Sequence, residues 1–492
     1  MAERRRGALI GPVLVLATLV SSIISSFGAP LIPTVAREFH VPLSTAQWSL
    51  TVALLVGAAS SSVLGRLGDG PRRRATLVGG LAVVTAGCVV AALAGGLGML
   101  LVGRGLQGVG LGLAPLAMAT ARDTLPQAKV APMLALLSVS AGAGLGAGYP
   151  ISGVLAETWG LAGAYWFGTM VSGLALICVA AVVPSSAGRS APNRLDWGGA
   201  VLLTLALVTA LVAVAEGTEW GWGSPTIIGL LAAGAVLFAL WAVQQLHTPN
   251  PLVQLRLLRH PSVLSADACA LVLGVAMYIV LSGVTEFVQS PRSGGFGFSA
   301  SAIVAGLVLI PLSFFMLSSS RTLPSLVTRV GIRAVLTLGC LVAALGCGFF
   351  AVFHGALWQA FVMTGVLGLG LGTTFAAIPG LITQSIPARE TGSALGFYQV
   401  VRFTGFSLGS ALAATVLAAH VGGNGQPTLG GYTMVLWISV GFCVLAAALA
   451  RFLPARSTEL APAKRLPADE IRLVEQTEGD DLSSEAPECS TP

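Results

Sequence analysis

Long stretches of this chain carry no charged residue, and this feature limits its possible folds more than any other. Only 9% of its 492 residues are charged and 55% are apolar, whereas a soluble domain carries about 25% charged residues. A helix needs roughly 20 apolar residues to cross a bilayer, and the charge-free runs 130–156, 158–188 and 293–320 exceed that length. The sequence therefore predicts an all-α membrane protein.

Polar turns divide the apolar sequence into fourteen predicted spans. The runs 334–388 and 403–450 are each too long for one crossing and must fold back, at His354-Gly355 and near Gly422 to Pro427. The predicted spans are 8–32, 46–65, 75–94, 98–121, 130–156, 161–183, 197–215, 225–244, 263–287, 299–319, 334–353, 357–384, 391–419 and 431–452.

The basic residues orient these spans. If the N-terminus is inside, all but four of the 26 Lys and Arg lie in cytoplasmic loops or tails. The exceptions are Arg37 and Arg292 outside, and Arg104 and Arg402 within helices. Because positive residues concentrate in cytoplasmic loops, we expect both termini in the cytoplasm of a plasma membrane. The high ratio of arginine to lysine is typical of a GC-rich bacterium.

Two halves of six spans are separated by an inserted pair. The predicted domains are a first six-helix bundle (1–183), two inserted helices with linkers (184–262), a second bundle (263–453) and a disordered cytoplasmic tail (454–492). A loop between two apolar runs, Gly65-Arg66-Leu67-Gly68-Asp69-Gly70-Pro71-Arg72-Arg73-Arg74, has a weak copy at 320–333.

This basic loop resembles the loop between helices 2 and 3 of the major facilitator superfamily, whose pattern is G-x-L-x-D followed by basic residues. The resemblance implies two parallel six-helix bundles. It also implies a conformational latch in which Asp69 docks on the start of span 13 and holds the outward-facing state. A helix start attracts a carboxylate because of its exposed amides and dipole. The alternative is a solvated loop acid. The latch residues implied by the resemblance are Gly65, Asp69, Arg73 and Arg74.

Span 4 carries a second motif. The run Arg104–Gly110 resembles the family's R-x-x-Q-G-x-G, and the resemblance implies a role for Arg104 in proton coupling. An arginine in hydrocarbon must face the bundle interior or water, so Arg104 could also serve only to bind carbonyl groups of neighbouring helices. We expect Gln107 to line the substrate cavity.

A third motif lies in span 5, where residues 142–153 resemble the G-P-x-x-G-G signature of antiporters. Tyr149 stands where proline is usual, and it becomes a candidate for the substrate cavity. Small residues four apart let another helix approach closely, and proline permits a kink. Packing alone would also explain such a stripe. The candidate residues of this helix are Gly144, Gly148, Pro150 and Gly153.

Arg402 lies near the middle of span 13, where no carboxylate is predicted at the same depth. It should therefore meet backbone carbonyls, water, or an anionic or carbonyl-bearing substrate. Gln399, on the same helix, is a further candidate for the cavity. These residues indicate a neutral to positive cavity, which favours neutral or weakly anionic substrates over cations.

Related drug/proton antiporters usually carry an aspartate in span 1, but Ile24 stands near that position. The remaining candidates for the proton-binding group are Glu286 and Asp267 in span 9, which are about 28 Å apart along the helix. Glu286 is the first choice, because it lies near the outer mouth. Alternatively, both acids only mark the helix ends.

Together these motifs resemble the fourteen-span drug/proton antiporter branch, which implies proton-coupled export of a small hydrophobic molecule across the lipid bilayer. Uptake or exchange of a metabolite by the same fold is the alternative. The sequence does not favour an enzyme, because no cluster pairs a nucleophile with a base or binds a metal. It predicts no cofactor, no nucleic-acid partner and a monomer.

Overall fold

Seventeen α-helices make up most of the described chain. The computed structural model describes residues 2–69, 72–184, 195–258, 260–292, 295–387, 390–422 and 426–451, so the predicted tail lies outside the described residues. The helices are α1 (Ala2–Ser26), α2 (Gly28–Glu38), α3 (Leu43–Gly68), α4 (Arg73–Ala92), α5 (Leu97–Gly108), α6 (Leu113–Thr124), α7 (Gln127–Val182), α8 (Trp197–Trp220), α9 (Pro225–His247), α10 (Leu255–Leu258), α11 (Pro261–Gln289), α12 (Ala302–Leu307), α13 (Ile310–Val330), α14 (Ile332–Val352), α15 (Leu357–Gln384), α16 (Thr391–Ala419) and α17 (Leu429–Arg451).

Thirteen helical segments of the described chain are long and apolar enough to cross a membrane, and one of them makes two crossings. The 56 residues of α7 would extend about 84 Å as a straight helix, but Gly160 has φ 70° and ψ −175°. The first leg (127–159) follows α1, since Gly144 lies against Ser22. The second leg (161–182) runs back beside α4, where Arg74 donates to the carbonyl of Ala180 at 2.6 Å. Fourteen crossings result, as predicted.

Three predicted spans are bent rather than continuous. Span 1 forms α1 and α2, which meet at Phe27, and span 4 forms α5 and α6, joined by the 3-10 turn Val109–Gly112. Span 10 forms α12 and α13, and the side chain of Ser301 caps the start of α12 by accepting from the Val304 amide at 3.4 Å. Apolar composition identifies the crossing but does not locate these breaks.

The two halves use the same pattern of helix packing. In the first half α1 packs on α7, α3 and α4 pack on α5, and α4 packs on α7; in the second half the corresponding pairs are α11 with α16, α13 and α14 with α15, and α14 with α17. The halves meet along two seams, α3 with α16 and α7 with α13. These seams correspond under the repeat, which is the arrangement expected of a duplicated bundle.

The inserted helices α8 and α9 form a hairpin that covers the α3/α16 seam. Asp196 caps α8 by accepting from the Gly199 amide at 2.8 Å, and it also receives hydrogen bonds from Gln244 and Gln245 at the end of α9. Trp241 of α9 stacks on Phe397 of α16, with ring centroids 6.1 Å apart. The proposed domain boundaries at 183/184 and 262/263 stay predictions.

Candidate functional site

One end of the bundle, here called the basic face, brings together the ends of α3, α6 and α15 and the beginnings of α4 and α16. Glycines allow the seam to close there. A Cβ on Gly396 would lie 2.6 Å from the Ser61 carbonyl oxygen, and Gly65 and Gly392 lie backbone to backbone. Any side chain at these positions would push α3 and α16 apart. Gly65 therefore lies within the seam itself.

Asp69, the residue after α3, binds the first turn of α16. The Gly392 amide donates to Oδ1 of Asp69 at 2.6 Å, and the Ser393 amide donates to Oδ2 at 2.9 Å. These amides have no partner within the helix, so a carboxylate there satisfies them and offsets the helix dipole. This is the position that the family resemblance implies for Asp69, whose role as a latch stays a prediction.

Glu390 forms a second set of contacts between α3 and the start of α16. Its carboxylate pairs with Arg66 of α3 at 2.8 Å, and Gln254, from the linker after the inserted hairpin, donates to its other oxygen at 2.8 Å. Arg66 and Glu390 are only 4% and 5% exposed, so the ion pair is largely shielded from water. Removal of one partner would leave a buried charge without compensation.

Arg122, at the end of α6, binds the second half as Arg66 and Asp69 do. Its guanidinium donates to the hydroxyl of Thr391 and, at 3.0 Å, to the carbonyl of Thr383. It therefore binds both the end of α15 and the start of α16. We use the name "latch" below for Arg66, Asp69, Arg122, Glu390 and the first turn of α16.

Arg73 and Arg74, which the sequence placed in the latch, lie elsewhere. Arg73 donates to the Gly68 carbonyl and pairs with Asp123, and Arg74 donates to Ala180. All these partners belong to the first half, so the two arginines brace that half and do not contact the second one in the described structure. Sequence analysis missed Arg66, Arg122 and Glu390, although each is a charge at a predicted helix end.

Burial raises the pKa of the Asp69 carboxyl to about 7, from an ordinary value of 3.8. The two amides of the α16 turn lower it, and the neighbouring Glu390 charge raises it slightly. Desolvation is thus the dominant effect, because burial penalises the ionised form. The carboxyl titrates near neutral pH.

Arg104 is completely buried, and its donors are satisfied. Nε donates to the Ser49 carbonyl at 2.8 Å, Nη2 to the Ser25 carbonyl at 2.8 Å, and Nη1 to the Ile24 carbonyl at 3.0 Å and the Gln107 side chain at 2.6 Å. Two of these carbonyls lie at the end of α1, where the helix breaks. This geometry matches the alternative in which Arg104 binds neighbouring helices, and its role in coupling stays a prediction.

Gln107 belongs to the same network rather than to an open cavity wall. Its carbonyl accepts from Arg104, and its amide donates to the Gly87 carbonyl of α4 at 3.3 Å. Gln107 is fully buried. Both ends of the side chain therefore have protein partners in this state.

The glycine-rich stretch of α7 lies between α1 and α13. Gly144 and Gly148 face Ser22 and Ser26 of α1, while Pro150 packs on Gly306 of α12. Gly153 is less crowded, because a Cβ there would be 4.0 Å from the nearest atom. The close approach expected from small residues is thus observed at Gly144, Gly148 and Pro150.

Arg402 of α16 is also completely buried, but its donors are not satisfied. Nη1 lies 3.4 Å from the Tyr398 hydroxyl, and Nε and Nη2 have no hydrogen-bond partner among the described residues. Gln399, one turn earlier, is buried with neither amide atom paired within the described chain. Four aromatic rings surround the guanidinium carbon at 5.3–5.7 Å: Phe375, Tyr398, Phe403 and Phe406.

Tyrosines connect this group to the first half. Tyr278 of α11 stacks on Phe406 with centroids 5.1 Å apart, and its hydroxyl is hydrogen bonded to that of Tyr149 on α7. Ser138 of α7 donates to the Phe375 carbonyl at 2.6 Å. We call Arg402, Gln399, Tyr149, Tyr278 and the four rings the central cluster. It lies where the two halves meet.

The two acids of α11 have different surroundings. Asp267 is 6% exposed, and its Oδ1 has no hydrogen-bond partner in the described chain. It shares a helix face with Gly274 and Tyr278, and Gly274 packs against the Arg402 carbonyl, so Asp267 lies about 10 Å along α11 from the level of Arg402. Glu286 is exposed near the other end and hydrogen bonds Tyr432 of α17.

Comparisons with known proteins agree with this architecture. The chain is 28% identical over 399 residues to the tetracenomycin C resistance and export protein of Streptomyces glaucescens, covering 79% of this chain and 72% of that protein. It is 27% identical over 444 residues to the lincomycin resistance protein of Streptomyces lincolnensis, covering 89% and 88%.

A solved structure shares the fold. The human organic anion transporter MFSD10 (TETRAN) superposes with a TM-score of 0.63 at 14% identity, over 92% of this chain and 100% of that chain. The sequence profile of the Major Facilitator Superfamily matches residues 14–410, which include the latch, the central cluster and both seams. This multi-pass membrane protein is a member of the Major Facilitator Superfamily.

Proposed function

We propose that this chain is a drug/proton antiporter that exports small hydrophobic molecules from a bacterial cell. The observation that carries the proposal is the central cluster, because unpaired polar groups there lie among aromatic rings at the junction of two repeated halves. Sites of this kind suit alternating access around a central substrate. The two Streptomyces relatives are named for resistance, and the first also for export, which supports the direction of transport.

We place the basic face and both termini in the cytoplasm of the plasma membrane, because arginines concentrate at that end. With the latch closed, the halves are held together on the cytoplasmic side, so the state described here is outward-facing or occluded. Release of the latch would let the halves rock apart on that side. The functional partners are then the lipid bilayer, the substrate and protons, and the transporter acts as a monomer without a cofactor or nucleic acid.

Asp267 is the acid that best suits proton coupling. It is buried and incompletely paired, and it lies on the helix face that packs against α16, about 10 Å along α11 from the level of Arg402. Glu286, the first choice from the sequence, is exposed near a helix end. A group that binds a coupling proton must be reached from both sides in turn and must respond to the substrate, so a position near the cluster is the more suitable one.

Transport by a bacterial host tests the proposal. Cells that express the chain should accumulate less of a hydrophobic antibiotic than cells with an empty vector, and dissipating the proton gradient should abolish the difference. Inside-out vesicles should take up the same compound only when their interior is acidified. Uptake into intact cells driven by the same gradient would contradict export and would favour the metabolite transporter.

The latch should strengthen as the cytoplasm becomes more acidic. The pKa of Asp69 is about 7 when latched, and a released, solvated aspartate keeps its ordinary low value, so the latched state binds the proton more tightly. The latched state is therefore stabilised relative to the released state as the pH falls from 7 toward 4. This stabilisation is lost as the pH rises to 7. Between pH 8 and pH 6 the equilibrium should move about tenfold toward the latched state.

Cysteine labelling measures this shift. A cysteine in place of Ser61, which packs on Gly396 in the seam, should react with maleimide more slowly at pH 6 than at pH 8, after correction for thiol ionisation. The Asp69→Asn variant should lose this dependence on pH. Faster corrected labelling at pH 6 in the parent protein would show that protonation opens the latch.

A further inference from the structure

Arg104 and Arg402, the two arginines of the described chain with no exposed surface, differ in one respect that bears on the substrate. Both are completely buried. The donors of Arg104 bind four oxygens of its own half, whereas Nε and Nη2 of Arg402 have no partner in the described chain. Packing in this fold can therefore satisfy a buried arginine, and at Arg402 it does not.

No protein carboxylate balances the charge of Arg402 in the described chain. Carboxylates pair with arginines at the basic face instead, Glu390 with Arg66 and Asp123 with Arg73. The four rings stabilise the guanidinium through their faces, but they accept none of its in-plane hydrogen bonds. A buried guanidinium needs oxygen acceptors in its plane.

Gln399 extends the unpaired region by one helical turn. Residues three apart lie on the same helix face, so the amide of Gln399 and the guanidinium of Arg402 lie side by side. The amide supplies one acceptor and two donors, and all of them are unpaired within the described residues. Helix α16 thus places two groups side by side. Nε and Nη2 of Arg402 form an anion-binding fork, and the amide of Gln399 can bind a carbonyl or hydroxyl group.

The walls of the site are aromatic and come from both halves. Phe375, Phe403 and Phe406 offer flat apolar faces around the fork. Tyr149 from the first half meets Tyr278, which stacks on Phe406. A ligand between these rings would contact both bundles and could respond to their movement.

We propose that Arg402 and Gln399 form the recognition end of the substrate site, and that this site takes an aromatic molecule bearing an ionised oxygen group, a carboxylate or a phenolate. The inference rests on the proposed transport function and names its substrate class. Arg402 binds the two oxygens of a carboxylate, or the single oxygen of a phenolate, through Nε and Nη2. The rings stack on the aromatic body.

Binding of three matched naphthalene probes tests the proposal. Titration calorimetry on the full-length protein in lipid nanodiscs compares 2-naphthoate, its neutral amide and a naphthyl trimethylammonium cation at neutral pH. We expect 2-naphthoate to bind at least about tenfold more tightly than the amide, and the cation to bind more weakly than both. Equal affinities for acid and amide, or binding of none of the probes, would overturn the proposal.

Variants show whether Arg402 causes the preference for the acid over the amide. Arg402→Gln should reduce the acid-to-amide ratio to about one, and Arg402→Lys should keep part of it, because an ammonium attracts the anion without the fork. Arg321→Gln, which removes an exposed charge on α13, should leave the ratio unchanged. A preference that survives in Arg402→Gln would refute the assignment, as would one lost in Arg321→Gln.

Transport separates this inference from the proposed function. Proton-driven export that shows no Arg402-dependent preference for anions would refute the binding site alone. An Arg402-dependent preference in binding, without proton-driven export by cells, would refute the antiporter and leave the site standing.

Discussion

Replacing Asp69 with asparagine should lower transport at least about fivefold while leaving membrane insertion intact. The carboxylate accepts the amides of Gly392 and Ser393 through separate oxygens. Asparagine has one acceptor oxygen. A protonated carboxyl keeps acceptor capacity on its hydroxyl oxygen, but the NH2 group of asparagine only donates, so one amide of the helix start would be left without an acceptor. A buried donor left without an acceptor costs about 1–3 kcal/mol, which shifts a two-state equilibrium roughly 5- to 150-fold.

The measurement pairs an efflux rate with labelling of a cysteine at position 61. Asp69→Asn should slow efflux and speed labelling together, because the seam opens. Asp123→Asn is the matched control, since this acid pairs with Arg73 inside the first half and its side chain is 42% exposed. It should change neither value greatly. Efflux at the wild-type rate in Asp69→Asn would mean that the contact seen here does not control transport.

Asp267→Asn should reduce proton-driven efflux to background and still permit exchange of labelled for unlabelled substrate. The amide mimics the protonated carboxyl and cannot release a proton. A transporter held in the protonated form can bind and exchange substrate, but it cannot use the gradient. The incompletely paired, buried position of Asp267 is the reason to expect the larger effect there.

Glu286→Gln provides the comparison on the same helix. This acid is exposed and hydrogen bonded to Tyr432, so its removal should leave efflux close to the wild-type rate. Gradient-driven efflux and counterflow exchange are measured in the same proteoliposomes. If Glu286→Gln removes coupling and Asp267→Asn does not, Glu286 is the proton-binding group, as the sequence favoured. The choice of Asp267 from its burial is then wrong.

Apolar run length and the distribution of arginines were sufficient to predict the crossings. Both depend on free energies of transfer to lipid that act on each segment separately. The breaks at Phe27 and within span 4 were not predictable in this way, since they depend on which carbonyls find partners in other helices. Arg104, which binds carbonyls at the end of α1, shows that such partners come from distant parts of the chain.

The latch was predictable only in part. Asp69 has its expected position because a motif and a helix start sufficed to place it. Arg73 and Arg74 bind Asp123 and Ala180 of the first half instead, since adjacency in a loop does not tell which residues an arginine will bind, and their role in the latch stays a prediction. Glu390 gave little signal from the sequence, because its importance comes from contact with Arg66, 324 positions earlier in the chain.

The duplicated halves meet along two seams that respond to different perturbations. At α3/α16 the contact is ionic, whereas in the second half Thr328 stands near the place of the acid and bonds Ser325 of its own helix. At α7/α13, Gly142 and Gly146 pack against α13, and Ser313 of α13 donates to the Ala143 carbonyl at 2.9 Å. One seam is therefore a latch that responds to protons, and the other is a close contact that any added side-chain volume would disrupt.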